Sequence, residues 1–460
     1  MAQDVPTQDV PAPDVGRFLM IGAVLLCSIG TLGVVSNASA PLDKGGRAPG
    51  IADLFRINAG RISVAAAVAM ALAAVLGLLA LRWSVRRTWP WLLLAGVVLT
   101  LPNEYAHLIA PYDLPPGGAL YRTVSALATG AAQLVLIGTL GAGIRLCHIG
   151  ERGVGAALIG AGFGAQIFGA STDVWFARIL ILGPGGNLPN AGEALKQLVH
   201  DGMILAAIGG AFLLVMLHRN YGDRPELAGP DRDPGLRVTL AGSVAMVSLI
   251  PAALLADYRT YTVTGSLVLL ATAIVCAIAA GVRAAIGTAI ATVALIGMSS
   301  PAAKLINVES FHSVRMWFWV AFGVVAGGVA VYFSRRNWSA AVGCGAAALL
   351  LPLMAERTNP ANALLLGLLV AGVTALIASV GVWADPSSPA VLGALVVPAV
   401  LGGHGLLTAK VETVIRNDQG TEPLENLWVH VVLLLLAAAS MAVLAFLETR
   451  TRTEPTTVSS

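Results

Sequence analysis

The chain has 460 residues, 57% of them hydrophobic and 12% charged, and a mean hydropathy of +0.79. A water-soluble domain carries about twice that share of charge. The formal charge of +3 is small and scattered, without basic blocks or interleaved aromatics, so nucleic acid is excluded as a partner on this reading. What remains is an all-α, polytopic membrane protein solvated by the lipid bilayer.

The first residues, MAQDVPTQDVPAPDVG at 1–16, are acidic and proline-rich. They lack the basic n-region of a secretory signal, so they read as a disordered cytoplasmic tail ahead of a retained anchor. Crossing about 30 Å of hydrocarbon takes roughly 17 to 25 apolar residues. Apolar runs of this kind lie near 17–36, 62–81, 89–103, 120–144, 153–170, 199–217, 237–256, 264–282, 284–300, 315–333, 339–354, 362–383, 388–407 and 427–447, which predicts about 14 transmembrane helices.

Short links after the even-numbered spans carry the arginines: Arg82, Arg86 and Arg87; Arg145 and Arg152; Arg219, Arg224, Arg232 and Arg237; Arg283; Arg335 and Arg336; Arg450 and Arg452. By the positive-inside rule these links are cytoplasmic, and both termini with them. Lys44, Lys196, Lys304 and Lys410 fall in longer links on the other side, where the rule carries less weight. The link 218–236, HRNYGDRPELAGPDRDPGL, mixes signs with Pro and Gly, the composition of a flexible connector. Abundant Ala, Gly and Val, with arginine far exceeding lysine, is the composition of a high-GC bacterium, which places the chain in a plasma (inner) membrane.

Segments of the chain echo one another at a shift of about 250 residues: LRWSVRRTW at 81–89 with YFSRRNWSA at 332–340, and LPNEYAH at 101–107 with LPLMAER at 351–357. LVHDGMILA at 198–206 resembles LWVHVVLLL at 427–435, with His200 and His430 at corresponding places. The order is the same in each half: a basic turn, an acid after Leu-Pro, then a histidine entering the last span. Chance resemblance between Ala/Leu/Val/Gly-rich segments is the alternative. Taken as a repeat, it divides the chain into a six-helix bundle (17–217), a cytoplasmic linker (218–236), two intervening helices (237–282), a second, pseudo-symmetric six-helix bundle (283–447) and a tail (448–460). A solute path then runs between the halves near the bilayer midplane.

Two segments carry a family resemblance. Gly77-Leu-Leu-Ala-Leu-Arg82-Trp-Ser-Val-Arg86-Arg87 resembles the G-x-L-a-D-r-x-G-r-r turn of the major facilitator superfamily, with matches at Gly77, Leu79, Ala80, Arg82 and Arg86. Leu81 stands where the family has aspartate, and Ser84 where it has its second glycine. Gly160-Ala-Gly-Phe-Gly164-Ala165-Gln-Ile-Phe168-Gly169 is similar to the family's antiporter motif, G-x-x-x-G-P-x-x-G-G, through Gly160, Gly164 and Gly169, with Ala165 in place of the proline. Glycines at this spacing also serve plain helix packing. The resemblance implies the fourteen-span drug:proton antiporter branch, which exports amphipathic small molecules or lipids with protons as coupling ion. That branch usually carries an acid in span one, and none occurs between Gly16 and Asn37 here.

A charge near the bilayer centre costs about 2.5 to 3.5 kcal/mol, so ionisable residues in spans call for a reason. Glu104, with His107, and Glu356, with Arg357, occupy repeat-related outer span ends. They are candidates for proton-binding carboxylates in an outward vestibule, where desolvation favours the protonated form; a solvated helix end is the alternative. His200 and Asp201, near Glu193 and Lys196, are candidates for proton coupling, as a histidine beside a carboxylate titrates in the physiological range. His430 and His404 are further candidates, with a hydrogen-bonded interfacial anchor as the alternative. Arg122 is the candidate embedded cation, for an anionic group or for Glu104; snorkelling is its other explanation.

Cys27, Cys147, Cys276 and Cys344 lie within or beside spans without ligand spacing and read as small core residues, and neither a metal nor a cofactor is expected. Trp83, Trp89, Trp91, Trp175, Trp338 and Trp428 fall near span ends as an aromatic belt. No HExxH, GxSxG or Walker sequence occurs in the outer links. A membrane-embedded envelope glycosyltransferase with Asp53 as base, and a non-transporting membrane scaffold, are the alternatives to a transporter.

Overall fold

The computed structural model describes residues 21–22, 64–104, 119–148, 154–155, 158–159, 205, 208–210, 212, 235–256, 262–292 and 389–415. The helices there are α1 (Val64–Trp83), α2 (Val85–Glu104), α3 (Ala119–His148), α4 (Leu236–Val247), α5 (Leu249–Ala256), α6 (Thr262–Ala280), α7 (Val282–Thr292) and α8 (Pro389–Ile415). No strand occurs among the described residues. Four segments, Val64–Trp83, Ala126–Cys147, Leu236–Leu255 and Val263–Ala280, are long and apolar enough to cross a membrane. The chain is an all-α, polytopic membrane protein.

These helices fall on the expected spans near 62–81, 89–103, 120–144, 237–256, 264–282, 284–300 and 388–407. The other expected spans lie wholly or mostly outside the described residues. Two details differ from expectation. The span at 237–256 is two helices, α4 and α5, joined at Ser248. Pro251 has no N–H to continue the ladder, and Ser248 occupies the joint, its Oγ donating to the Ala245 carbonyl at 2.7 Å. The helix begun at Pro389 runs on to Ile415, carrying Lys410 and Glu412 beyond the expected end near 407.

The helices bring small residues to their contacts and leave many large ones facing outward. On α1, Ala66, Ala67, Ala71, Ala74 and Gly77 are buried, whereas Leu72, Leu76, Leu79 and Trp83 form an exposed stripe at helical spacing. Leu236, Leu240, Val244 and Val247 do the same on α4. In water this arrangement would be costly, but lipid tails are as apolar as leucine. Helices in a bilayer therefore gain most by close backbone approach through small residues. Trp83, 87% exposed, fits the belt; Trp89, at 3%, does not, because its Cβ packs against Gly141 of α3.

Contacts between specific residues give the direction of packing. A methyl group added at Gly77 would stand 3.2 Å from Ile137, and one at Gly130 would stand 3.2 Å from the Ala69 carbonyl, so α1 and α3 run parallel. Gly96 faces Val135, Leu93 faces Gly138 and Trp89 faces Gly141, so α2 and α3 run antiparallel. Span two is then parallel to span four and opposite to span three, the alternation that successive crossings require. The Ala126–Cys147 part of α3 is 94% buried, against 33% for Val263–Ala280 of α6: α3 is central and α6 peripheral.

α8 packs chiefly on α6 and also meets α4, α3 and α1. At Gly242 of α4 three helices converge, with Leu78 of α1 and Val391 of α8 at 3.0 and 3.2 Å from an added methyl. The α6–α8 approach is closest at Gly402, where a methyl would lie 2.7 Å from the Ser266 carbonyl oxygen and 2.8 Å from the Leu270 nitrogen. Backbone atoms inside a helix cannot step aside singly. Gly402→Val is expected to destabilise the protein by about 1–3 kcal/mol or more, read as a lowered melting temperature in detergent. Gly235→Ala, with open space around it, is the control.

Candidate functional site

The basic turn between α1 and α2 is built around Ser84, the residue standing in place of the superfamily's second glycine. The backbone N–H of Arg87 donates to Ser84 Oγ at 3.3 Å, so the serine caps the start of α2. The Thr88 hydroxyl donates to the Ser84 carbonyl at 2.6 Å and closes the same turn. A glycine offers no such cap. Ser84→Ala is expected to cost about 1 kcal/mol, measured as a small fall in melting temperature that Ser84→Asp recovers.

Leu81, in place of the family's aspartate, is 0% exposed and lies against Gly141 of α3. The apolar residue fits its surroundings, since a carboxylate there would be sealed between helices. Gly77 is likewise part of the α1–α3 contact through Ile137. Arg82 is half-buried and Arg87 is exposed. Arg86 falls in the first turn of α2, and its side chain lies outside the described residues. Arg145, expected in a cytoplasmic link, instead belongs to the last turn of α3 and is 4% exposed. Packing of the chain closes over it, because α3 continues to His148 rather than ending near 144.

Of the candidate coupling residues, Glu104, Arg122 and His404 have described backbones: Glu104 ends α2, Arg122 lies in the first turn of α3 and His404 lies within α8. Extending the antiparallel register of Gly96 with Val135 and Trp89 with Gly141 sets Glu104 level with about Ala126, one turn from Arg122. The fold therefore brings these two positions to the same end of one helix pair. Their side chains lie outside the described residues, as do His200, Asp201, Glu356, His430, Gly160, Gly164 and Gly169 in full. Asp53 is outside them as well.

Inside the bundle, polar side chains mostly satisfy themselves. Thr100 donates to the Val97 carbonyl at 2.6 Å and Ser243 to the Thr239 carbonyl at 2.9 Å, the back-bonding that lets hydroxyls ride in apolar helices. Gln133 of α3, like Thr139 and Thr292, differs: it is buried, and its Nε2 has no hydrogen-bond acceptor among the described residues. No motif marked it in the sequence; a single glutamine inside an apolar run was the only signal. Cys276 is a buried free thiol, Cys147 is half-buried, and no group of three metal-ligating side chains occurs among the described residues.

No family model matches the chain, and no curated protein matches it. Solved structures do. A bacterial homologue of the human drug peptide transporters PepT1 and PepT2 is 14% identical, with a TM-score of 0.50 over 95% of this chain and 99% of its own. The proton:xylose symporter XylE of the major facilitator superfamily, bound to 6-bromo-6-deoxy-D-glucose, is 12% identical, with a TM-score of 0.48 over 93% of this chain and 96% of that one. At such identities the likeness is one of fold. Over nearly its whole length, the chain is folded like the bacterial peptide-transporter homologue.

Proposed function

We propose that the chain is a proton-coupled transporter of the major facilitator type, divergent from the fourteen-span drug:proton antiporters, that exports amphipathic small molecules or lipids by alternating access. The observation that carries this reading is the likeness of fold, along 95% of the chain, to a bacterial homologue of drug peptide transporters. The central, buried α3 and its contacts with α8 from the far half of the chain support it. Two six-span bundles with two intervening helices would rock about a midplane cavity, in a plasma membrane with both termini cytoplasmic.

In this reading Glu104 and Glu356 take up protons at the outer face, Arg122 pairs with a carboxylate or an anionic solute group, and His200, Asp201 and His430 relay charge. Gly77, Arg82 and Arg86 shape the cytoplasmic turn, and Gly160, Gly164 and Gly169 let span five approach its neighbour. The test is efflux of doxorubicin, a fluorescent amphipathic solute, from loaded cells that produce the chain. Release is expected to exceed that of cells without it, and a protonophore is expected to remove the excess. Equal release with and without the chain would overturn the exporter reading; an excess indifferent to the protonophore would overturn proton coupling.

A further inference from the structure

Contacts along α3 fix where the helical position of Arg122 stands. Gly130 and Ile137 meet α1, Val135 and Gly138 meet α2, and Gly143 meets Ile159. α8 packs on both α3 and α1, so it takes the remaining flank, between α1 and Ile159. At about 100° per residue, Arg122 falls on that flank, about 80° from Gly130 and about 140° from Val135. Arg122 is therefore placed on the side of α3 nearest α8, and Glu104 belongs to the helix on the opposite side.

The same contacts fix the level. Gly242, near the start of α4, meets Leu78, near the end of α1, and α5 also packs on α1, so α4 and α5 run against α1 and α3. Val391 and Ala394 stand beside Gly242, while Gly402 meets Ser266 and Leu270 of α6, whose Gly265 meets Ala252 of α5. α8 thus runs with α4 and α5 and against α3. Counting out from Ile137 at Gly77, and from Val391 and Ala394 at Leu78, sets Arg122 level with about Lys410, within one turn of Glu412. α4 packs on α6 and α1, and α1 on α3, so the order around α8 is α6, α4, α1, α3. Glu412 comes about five whole turns after Ala394, on the line that passes Gly242 and borders the α3 flank. Lys410 lies about 160° from that line, on the far side, and His404 comes about two turns before Glu412. With 27 residues α8 is about 40 Å long, about 10 Å more than the hydrocarbon it crosses, so its last turns stand outside the apolar layer.

We propose that Arg122 and Glu412 form an ion pair that joins α3 to α8 at the bundle end remote from the Ser84 turn and latches that end shut. The latch rests on the transporter reading, in which α3 and α8 belong to different bundles and this end is the outer mouth. Alternating access then parts the two helices there once in each cycle. An ion pair at a helix end outside the hydrocarbon shifts an equilibrium by no more than about fivefold. That is enough to bias the mouth toward closed without stopping the cycle. Glu104, across α3, takes up its proton without having to give up Arg122.

The proposal is tested with the full chain in proteoliposomes, Cys27, Cys147, Cys276 and Cys344 being replaced by alanine. Arg122→Cys with Glu412→Cys is expected to be bridged by 1,2-ethanediyl bismethanethiosulfonate at least about tenfold faster than Arg122→Cys with Lys410→Cys. Equal rates overturn the juxtaposition. The latch is read at Thr129→Cys, a buried position on the same flank two turns further in. Arg122→Glu and Glu412→Arg are each expected to speed its reaction with the charged reagent 2-sulfonatoethyl methanethiosulfonate about two- to fivefold, and together to restore the original rate. No acceleration in either single variant overturns the proposal, as does rescue of Arg122→Glu by Glu104→Arg in place of Glu412→Arg. The labelling needs no solute. Acceleration and rescue in a chain that moves no doxorubicin would remove the transporter reading and keep the ion pair.

Discussion

Leu81→Asp, which restores the aspartate of the superfamily's cytoplasmic turn, is expected to unfold the protein rather than improve it. Leu81 is fully enclosed, with its Cδ2 3.0 Å from where a methyl on Gly141 would sit. Losing a buried leucine costs about 2–5 kcal/mol through the cavity left behind. The incoming carboxylate must also give up its hydration between two helices or take a proton. Both effects have the same sign. Fluorescence-detected size exclusion after stepwise heating is expected to show the Asp variant lost from the monodisperse peak well below the wild-type melting temperature. Leu81→Met, which conserves volume, should cost less than about 1.5 kcal/mol. An Asp variant as stable as wild type would mean that the α1–α3 contact opens at this level and that a charged turn is tolerated.

The second large effect concerns coupling. Glu104→Gln and Glu356→Gln keep the size and hydrogen-bonding shape of the side chain and remove the site that exchanges a proton. A membrane potential of 100 mV supplies about 2.3 kcal/mol per charge moved, so a carrier that no longer takes up the proton loses that drive. Uphill doxorubicin efflux is expected to fall by about tenfold or more in each variant, while exchange of labelled for unlabelled solute, which needs no proton, continues. If uphill efflux is unchanged in both, the carboxylates are solvated helix ends and the coupling site lies elsewhere. If exchange also stops, the substitutions have damaged the solute path rather than the coupling.

How much of this was legible in the sequence depended on which force decides each feature. Helix positions were, because the bilayer imposes span length: α1, α2, α4 with α5, and α6 lie close to the apolar runs expected for them. The break at Ser248 was written in Pro251 but hidden by the unbroken hydrophobicity around it. The reach of α8 to Ile415 was not visible either, since hydropathy marks where lipid ends and not where a helix does. The same reason hid the burial of Arg145, which charge patterning alone assigns to a solvated link.

The candidate site was legible in part. Register between α2 and α3 brings Glu104 and Arg122 to one end of a helix pair, an arrangement the sequence could only propose from proximity. Ser84 and Leu81 looked like departures from a family turn; the fold gives each a local role, one as a helix cap and one as a seal against Gly141. Gln133 went unmarked because one polar residue in an apolar run has no spacing partner. Its burial is visible only once the helices are packed.

The central claim, that this chain couples solute movement to protons, is tested most directly by purified protein in liposomes that enclose the pH dye pyranine. With a proton gradient absent at the start, an outward-directed doxorubicin gradient is predicted to drive protons inward, acidifying the lumen relative to protein-free liposomes, and a protonophore is predicted to abolish the signal. Doxorubicin movement across the same membranes with no change in lumenal pH would contradict the account.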